Sequence, residues 1–165
     1  MRLVLQRVSR AVVRVHGAPV AEIGRGLVAL VGVGRTDRDR SWDAERWLAG
    51  KVAGLRIFED DGGRMNRSLL DVEGAVLVVA QFTLYGDARR GRRPSWAAAA
   101  PPEEAEGSVE RFAVALESMG VAVQRGAFRE HMEVELVNDG PVTILLEDRF
   151  SVAPEDPAAR SHGGR

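Results

Sequence analysis

Three stretches of this sequence bring together residue types that can do chemistry. Ala80-Gln81-Phe82-Thr83 closes the most apolar run of the chain, AVLVVAQFTL. If that run is a strand, alternation sets Val76, Val78, Ala80 and Phe82 on one face and Leu77, Val79, Gln81 and Thr83 on the other. Gln81 and Thr83 then give an apolar face a polar end, where an amide and a hydroxyl can hold a substrate. The plainer alternative is that the strand leaves the core there and both side chains meet water. Asn138-Asp139-Gly140-Pro141 reads as a hairpin turn, with glycine for positive φ and proline pre-setting the next φ. Its sharper reading is a cis Gly–Pro bond that aims backbone carbonyls at a ligand. The third stretch, GDARRGRRPSW, holds Arg89, Arg90, Arg92 and Arg93. Guanidinium groups pair bidentately with phosphates, and Trp96 beside them can stack on a base. The alternative is a solvated basic loop.

What is absent narrows the chemistry. There is no cysteine, hence no thiolate nucleophile, disulfide or zinc–thiolate site. His16, His131 and His162 are too few and too scattered for a histidine metal cluster, and His131 reads as a surface residue. No Ser-His-Asp order, P-loop, HExxH or strand-borne GxGxxG occurs. Neither a metal nor a cofactor is expected.

The elements that must position these residues follow from patterning. Residues 2–15, Val20 to Ile23 and Leu27 to Val33 read as strands separated by His16–Pro19 and Gly24–Gly26 turns. A helix follows, with N-cap candidates between Asp37 and Ser41 and apolar positions Ala44, Trp47, Leu48, Val52 and Leu55. Arg56-Ile57-Phe58 reads as a strand and Glu59–Gly63 as a turn. Residues 75–84 are the strongest strand. Pro101-Pro102-Glu103-Glu104 opens a second helix, its carboxylates placed where the helix dipole favours them. Val109, Phe112, Ala113, Leu116 and Met119 form its apolar stripe, and Gly120 caps it. Val121 to Gln124, Met132 to Val137 and Val142 to Glu147 are three more strands. The pattern predicts an α+β fold: one compact domain over residues 1–150, a largely antiparallel sheet and two main helices. Residues 151–165 have almost no large apolar side chain and are expected to be disordered.

Composition agrees with a globular protein. The 165 residues are 45% hydrophobic and 28% charged. The 23 basic and 24 acidic side chains leave a net charge of −1, so nucleic-acid binding would need a local patch. Arg2, Arg7, Arg10 and Arg14 interrupt the apolar start, which lacks the continuous core of a signal peptide, and no run approaches membrane-spanning length. The expected location is the cytoplasm, with no membrane partner.

Several motifs in one order resemble the D-aminoacyl-tRNA deacylase family, first described as D-tyrosyl-tRNA deacylase. They are MRLVLQRVSRAVVRV, GRGLVALVGV, LRIFEDDGGRMNRSLLDV, VVAQFTLYGDARRGRRPSW, AAPPEEAE and VELVNDGPVTILLED, and they run from residue 1 to about 149. The resemblance implies a barrel-like α+β homodimer that hydrolyses the ester between a D-amino acid, or glycine misloaded on alanine tRNA, and the terminal adenosine. It implies that Gly140 and Pro141 of one subunit, joined by a cis bond, enter the pocket of the other. There their carbonyls would exclude an L side chain by clash, while D residues and glycine fit. Ala80, Gln81, Phe82 and Thr83 would line the catalytic site, with the N–H groups around Phe82 and Thr83 facing the developing oxyanion. The tRNA 2′-OH would assist the attacking water, and Thr83 would position substrate or act as a nucleophile. Phe128, Met132 and Asn138 would border the pocket, and Arg89, Arg90, Arg92 and Arg93 would touch acceptor-stem phosphates.

Two departures stand out. The family usually has serine at Ala80, and Phe128-Arg129-Glu130-His131-Met132 replaces a Phe-Gly-Ala segment followed by an acidic residue and methionine. Both leave open a non-catalytic tRNA-binding protein on the same fold. A further alternative is a deacylase with a trans Gly–Pro bond and relaxed chirality.

Overall fold

Valine and leucine recur through Arg2–Val15, and this segment forms β1, a strand long enough to serve two neighbours along one edge. Its first half pairs antiparallel with β3 (Gly26–Gly32) and its second half with β2 (Ala18–Ile23). Along its other edge runs β8 (Met132–Glu147), also antiparallel. β6 (Ala75–Ala80) joins β3, and β7 (Ala122–Arg125) joins β6, both in parallel. The computed structural model describes residues 1–37 and 43–148. The expected tail and most of the N-cap candidates before the first helix lie outside them.

The sheet is barrel-like and largely antiparallel, as the sequence predicts, and two parallel pairings make it mixed. Helical crossovers explain the two parallel pairings, because parallel neighbours need a long connection. α1 (Asp43–Gly54) lies between β3 and β6 in the chain, and α2 (Pro102–Ser118) between β6 and β7. The helices pack on one face of the sheet. There Leu48, Val52, Phe112 and Leu116 meet Leu3, Leu5, Leu27, Val31, Val76 and Val78. The opposite face buries Val8, Val13, Ile23, Val28, Leu77 and Val79. Both faces of β3 and β6 are thus covered, which is why their sequences are continuous apolar runs rather than alternating ones. No helix among the described residues is long and apolar enough to cross a membrane.

Three local expectations are corrected. Arg56 and Ile57 stay outside the sheet; only Phe58–Glu59 (β4) pairs with Met65–Arg67 (β5), and Arg56 instead donates to the Asn66 carbonyl at 2.8 Å. The strand predicted over 75–84 stops at Ala80. The hairpin expected at Asn138–Pro141 does not form. Gln6 pairs with Thr143 and Val8 with Asn138, so both halves of β8 lie against β1 and the segment between them bulges out opposite Arg7. Turn composition is compatible with either outcome; the long partner strand decides for the bulge.

Candidate active site

The end of β6 is shaped by what happens to Tyr85. Gln81 N–H donates to the Val31 carbonyl at 2.7 Å, and the chain then enters a 3-10 turn over Phe82–Tyr85. Tyr85 is buried, and its hydroxyl donates to Asp37 at 3.2 Å. Burial first, and then the charge of Asp37, push the phenol above its ordinary range and keep it a donor. Its ring lies against Gly34, where a Cβ would come within 2.6 Å of it. Asp37 also accepts from the Gly34 N–H at 2.6 Å, fixing both sides of the packing. Drawing Tyr85 inward curls the preceding residues, so strand alternation ends before Gln81 and Thr83. Phe82 and Thr83 both stand exposed, and Gln81 is half-buried. The Gln81 amide donates to the Thr83 hydroxyl. A 3-10 turn leaves its first N–H groups, here those of Phe82 and Thr83, without partners inside the turn.

Beside this turn opens a cavity of about 700 Å3. Ala80, Gln81 and Phe82 line one wall, and Phe128, Met132 and the intervening Arg129, Glu130 and His131 another. Val31, Val79, Val109 and Ala100 supply apolar surface between them. Two stretches nearly fifty residues apart in sequence thus converge, and the altered 129–131 segment belongs to the cavity rather than to a remote surface. Trp96 also reaches the cavity, edge-on to Phe82 with ring centroids 5.5 Å apart. Among the described residues no carboxylate or imidazole hydrogen-bonds to Thr83. Its hydroxyl is oriented by an amide, which cannot serve as a base.

Arg129 holds φ at +67°, a left-handed conformation that costs a residue with a side chain. Arg129→Gly is expected to stabilise the protein by about 1 kcal/mol, the conformational penalty less the chain entropy that glycine adds. A urea midpoint that fails to rise would refute this.

Asn138, Gly140 and Pro141 do not line this cavity. The Gly140–Pro141 peptide is cis and both residues are exposed. Asn138 clamps the bulge: its carbonyl accepts from Val142 N–H at 2.8 Å and its amide donates to the Thr143 hydroxyl at 3.2 Å. Sequence reasoning missed Arg7, buried at 4% exposure beneath the bulge. Arg7 donates from Nε to the Asp139 carbonyl at 2.9 Å and from Nη1 to the Ile57 carbonyl at 2.6 Å. An arginine within an otherwise apolar strand, at a position that faces the core, was the available signal.

The four arginines of the basic loop are not equivalent. Asp87 and Ser95 exchange both backbone hydrogen bonds at the loop base. Arg89 folds back onto Asp87 through two side-chain bonds of 2.9 and 2.7 Å, which hold the Asp87 carboxyl well below its usual range. Arg90, Arg92 and Arg93 are left exposed near the tip.

The chain is thus a barrel-like α+β domain with a largely apolar cavity at the end of β6, and among the described residues no charged group bonds to Thr83. The chain belongs to the D-Tyr-tRNA(Tyr) deacylase family, whose model matches residues 4–147. It is 59% identical to a D-aminoacyl-tRNA deacylase of Thermomicrobium roseum over 89% of this chain and 94% of that one. A D-aminoacyl-tRNA deacylase of Symbiobacterium thermophilum is 57% identical over 89% and 95%. Among solved structures, the c-Myc DNA Unwinding Element Binding Protein is 36% identical with a TM-score of 0.81, covering 90% of this chain and 99% of that one. A probable eukaryotic D-amino acid tRNA deacylase, 21% identical, shares the fold with a TM-score of 0.73 over 88% and 97%.

Proposed function

We propose that this chain hydrolyses the ester joining a D-amino acid, or glycine misloaded on alanine tRNA, to the terminal adenosine of tRNA, in the cytoplasm and without a cofactor. The convergence of Ala80–Phe82 and Phe128–Met132 on one cavity carries this reading, together with family membership. Water adds to the ester carbonyl carbon, the carbon–ribose oxygen bond breaks, and the departing ribose oxygen takes a proton. The products are the amino acid and free tRNA. An aminoacyl ester is already labile, so positioning supplies much of the acceleration needed. The N–H groups of Phe82 and Thr83 stabilise the developing oxyanion, and the tRNA 2′-OH orients the water. Family relatives usually carry serine at position 80; alanine here removes one hydroxyl and leaves those amides in place.

Thr83 acts by position rather than as a nucleophile. Thr83→Val is expected to lower kcat by about tenfold, within the range of one lost oriented contact. A loss beyond about a thousandfold, with an acyl-enzyme absent in the variant but trapped in the wild type, would assign it the nucleophilic role.

Chiral selection needs a second copy of the chain. β8 has no partner on its outer edge within the described residues, and exposes Val137 at 43% and Leu145 at 75%. An open, partly apolar edge favours pairing with a like strand. Docking there is suited to carry the exposed Gly140–Pro141 unit into the partner's cavity, where its carbonyls clash with an L side chain. Arg90, Arg92 and Arg93, with Arg89 compensated by Asp87, face the acceptor-stem phosphates. The deacylase domain spans residues 1–150.

Deacylation of D-Tyr-tRNA, L-Tyr-tRNA and Gly-tRNA tests the proposal, with light scattering on the same sample. A dimer should release the D and glycyl esters and spare the L ester. Hydrolysis of none of them by a folded dimer that binds tRNA would leave a tRNA-binding protein instead.

A further inference from the structure

A second cavity, about 750 Å3, is lined where the Phe82–Tyr85 turn ends, by Tyr85, Gly86 and Asp87. Arg2, Arg35 and Arg89 line it, together with Gly86 and Ala97–Ala98. Two of these cations already have acidic partners. Arg2 pairs with Glu147 at 2.7 Å and lies over the Tyr85 ring, and Arg89 pairs with Asp87. Arg35 differs. Its side chain is exposed, and it makes no ion pair among the described residues. It also lines the first cavity. Its backbone is anchored, because Arg35 N–H donates to the Ala98 carbonyl at 2.9 Å and Gly34 bridges to Ala99. Trp96 marks the same boundary. It lines the first cavity and packs on Gly86, a residue of the second, so closely that a Cβ there would come within 2.5 Å of the indole.

A guanidinium without an ion pair among the described residues, lining both cavities, and a partly exposed indole beside it match a short single strand of nucleic acid, which offers alternating phosphates and base faces. We propose that the second cavity receives the single-stranded 3′ end of the tRNA, with Arg35 contacting a backbone phosphate and Trp96 stacking on a base. The inference rests on the deacylase reading and extends it: the first cavity takes the aminoacyl group, and the second takes the strand that delivers it. The charge of Arg35 and its place in the lining of both cavities select this occupant over a protein partner, which would place no phosphate there.

The test uses a fluorescein-labelled tetranucleotide ending in CCA, bound to full-length protein between about 50 and 200 mM salt. Arg35→Gln should weaken binding and flatten the slope of log K against log salt by about 0.7, one single-strand phosphate contact, and Arg35→Lys should restore the slope. Trp96→Ala should weaken binding about tenfold without changing the slope. Arg64→Gln, on the β4–β5 hairpin away from both cavities, serves as the control for general loss of positive charge. An unchanged slope in Arg35→Gln, or an equal change in Arg64→Gln, overturns the inference. Deacylation of D-Tyr-tRNA by the wild type is measured on the same preparation. Active wild type with an unaltered Arg35→Gln slope removes the strand-binding proposal alone, whereas inactive wild type removes the deacylase reading.

Discussion

In the proposed function, Gly140→Ala is expected to lower kcat/KM on D-Tyr-tRNA by about 100-fold and to collapse the preference for D over L esters, while the protein stays folded. Gly140 holds φ at +133°, which L side chains rarely adopt. A Cβ there would stand 2.7 Å from Val142 Cγ2 and 3.0 Å from Arg7 Nη2. The chain must therefore move, and the carbonyls of the Gly140–Pro141 unit move with it. In a site that works by placement, a displacement of about 1 Å costs about 100-fold, or roughly 2.7 kcal/mol of transition-state stabilisation. Gly140 and Pro141 are exposed, so the segment can shift outward, and the loss of global stability should be smaller than that of Arg7→Met. Circular dichroism checks the fold, and light scattering checks that the oligomeric state matches that of the wild type. A variant with wild-type rates on both D and L esters would show that this segment has no part in selection.

Arg7→Met is expected to destabilise the protein by about 3 kcal/mol, the largest stability effect among these variants. The replacement preserves the apolar stem but removes two short hydrogen bonds from a cation, each of which contributes about 1.5–3 kcal/mol. The Ile57 carbonyl then loses a donor in a place that water hardly reaches, as Ile57 is 7% exposed. The Asp139 carbonyl loses its donor at the root of the bulge. Relief of the buried charge recovers part of the loss, since Arg7 meets carboxylates only at longer range, Asp139 at 3.6 Å and Glu59 at 3.9 Å. Urea unfolding should show a lower midpoint with an unchanged slope. In the proposed function the same variant frees the Gly140–Pro141 segment, so discrimination against L-Tyr-tRNA should weaken by about tenfold, the same order as other lost positioning contacts. A midpoint equal to wild type would mean that the bulge is held by Asn138 alone.

The sequence by itself determined the local elements and the families of residue that matter. Periodicity placed β1, β3, α1 and α2, because their burial is regular and near-continuous. Pro102 and the carboxylates of Glu103 and Glu104 marked the start of α2 through backbone and dipole chemistry that needs no tertiary partner. The motif order identified the family over residues that its model also matches. Tertiary structure decided what depends on partners distant in the chain. Alternation could not show that β6 stops at Ala80, because the cause is Tyr85 seated against Gly34 and bonded to Asp37. Turn composition could not separate a hairpin from a bulge, because the choice belongs to β1, which pairs with both halves of β8. Arg7 looked like one more interruption in an apolar run until Ile57 and Asp139 were brought to it. Arg35 stands out only through the fold, which sets it in the lining of two cavities. Local propensity acts over a few residues, whereas burial, compensation of charge and the closing of a cavity are properties of contacts, and contacts exist only in the folded chain.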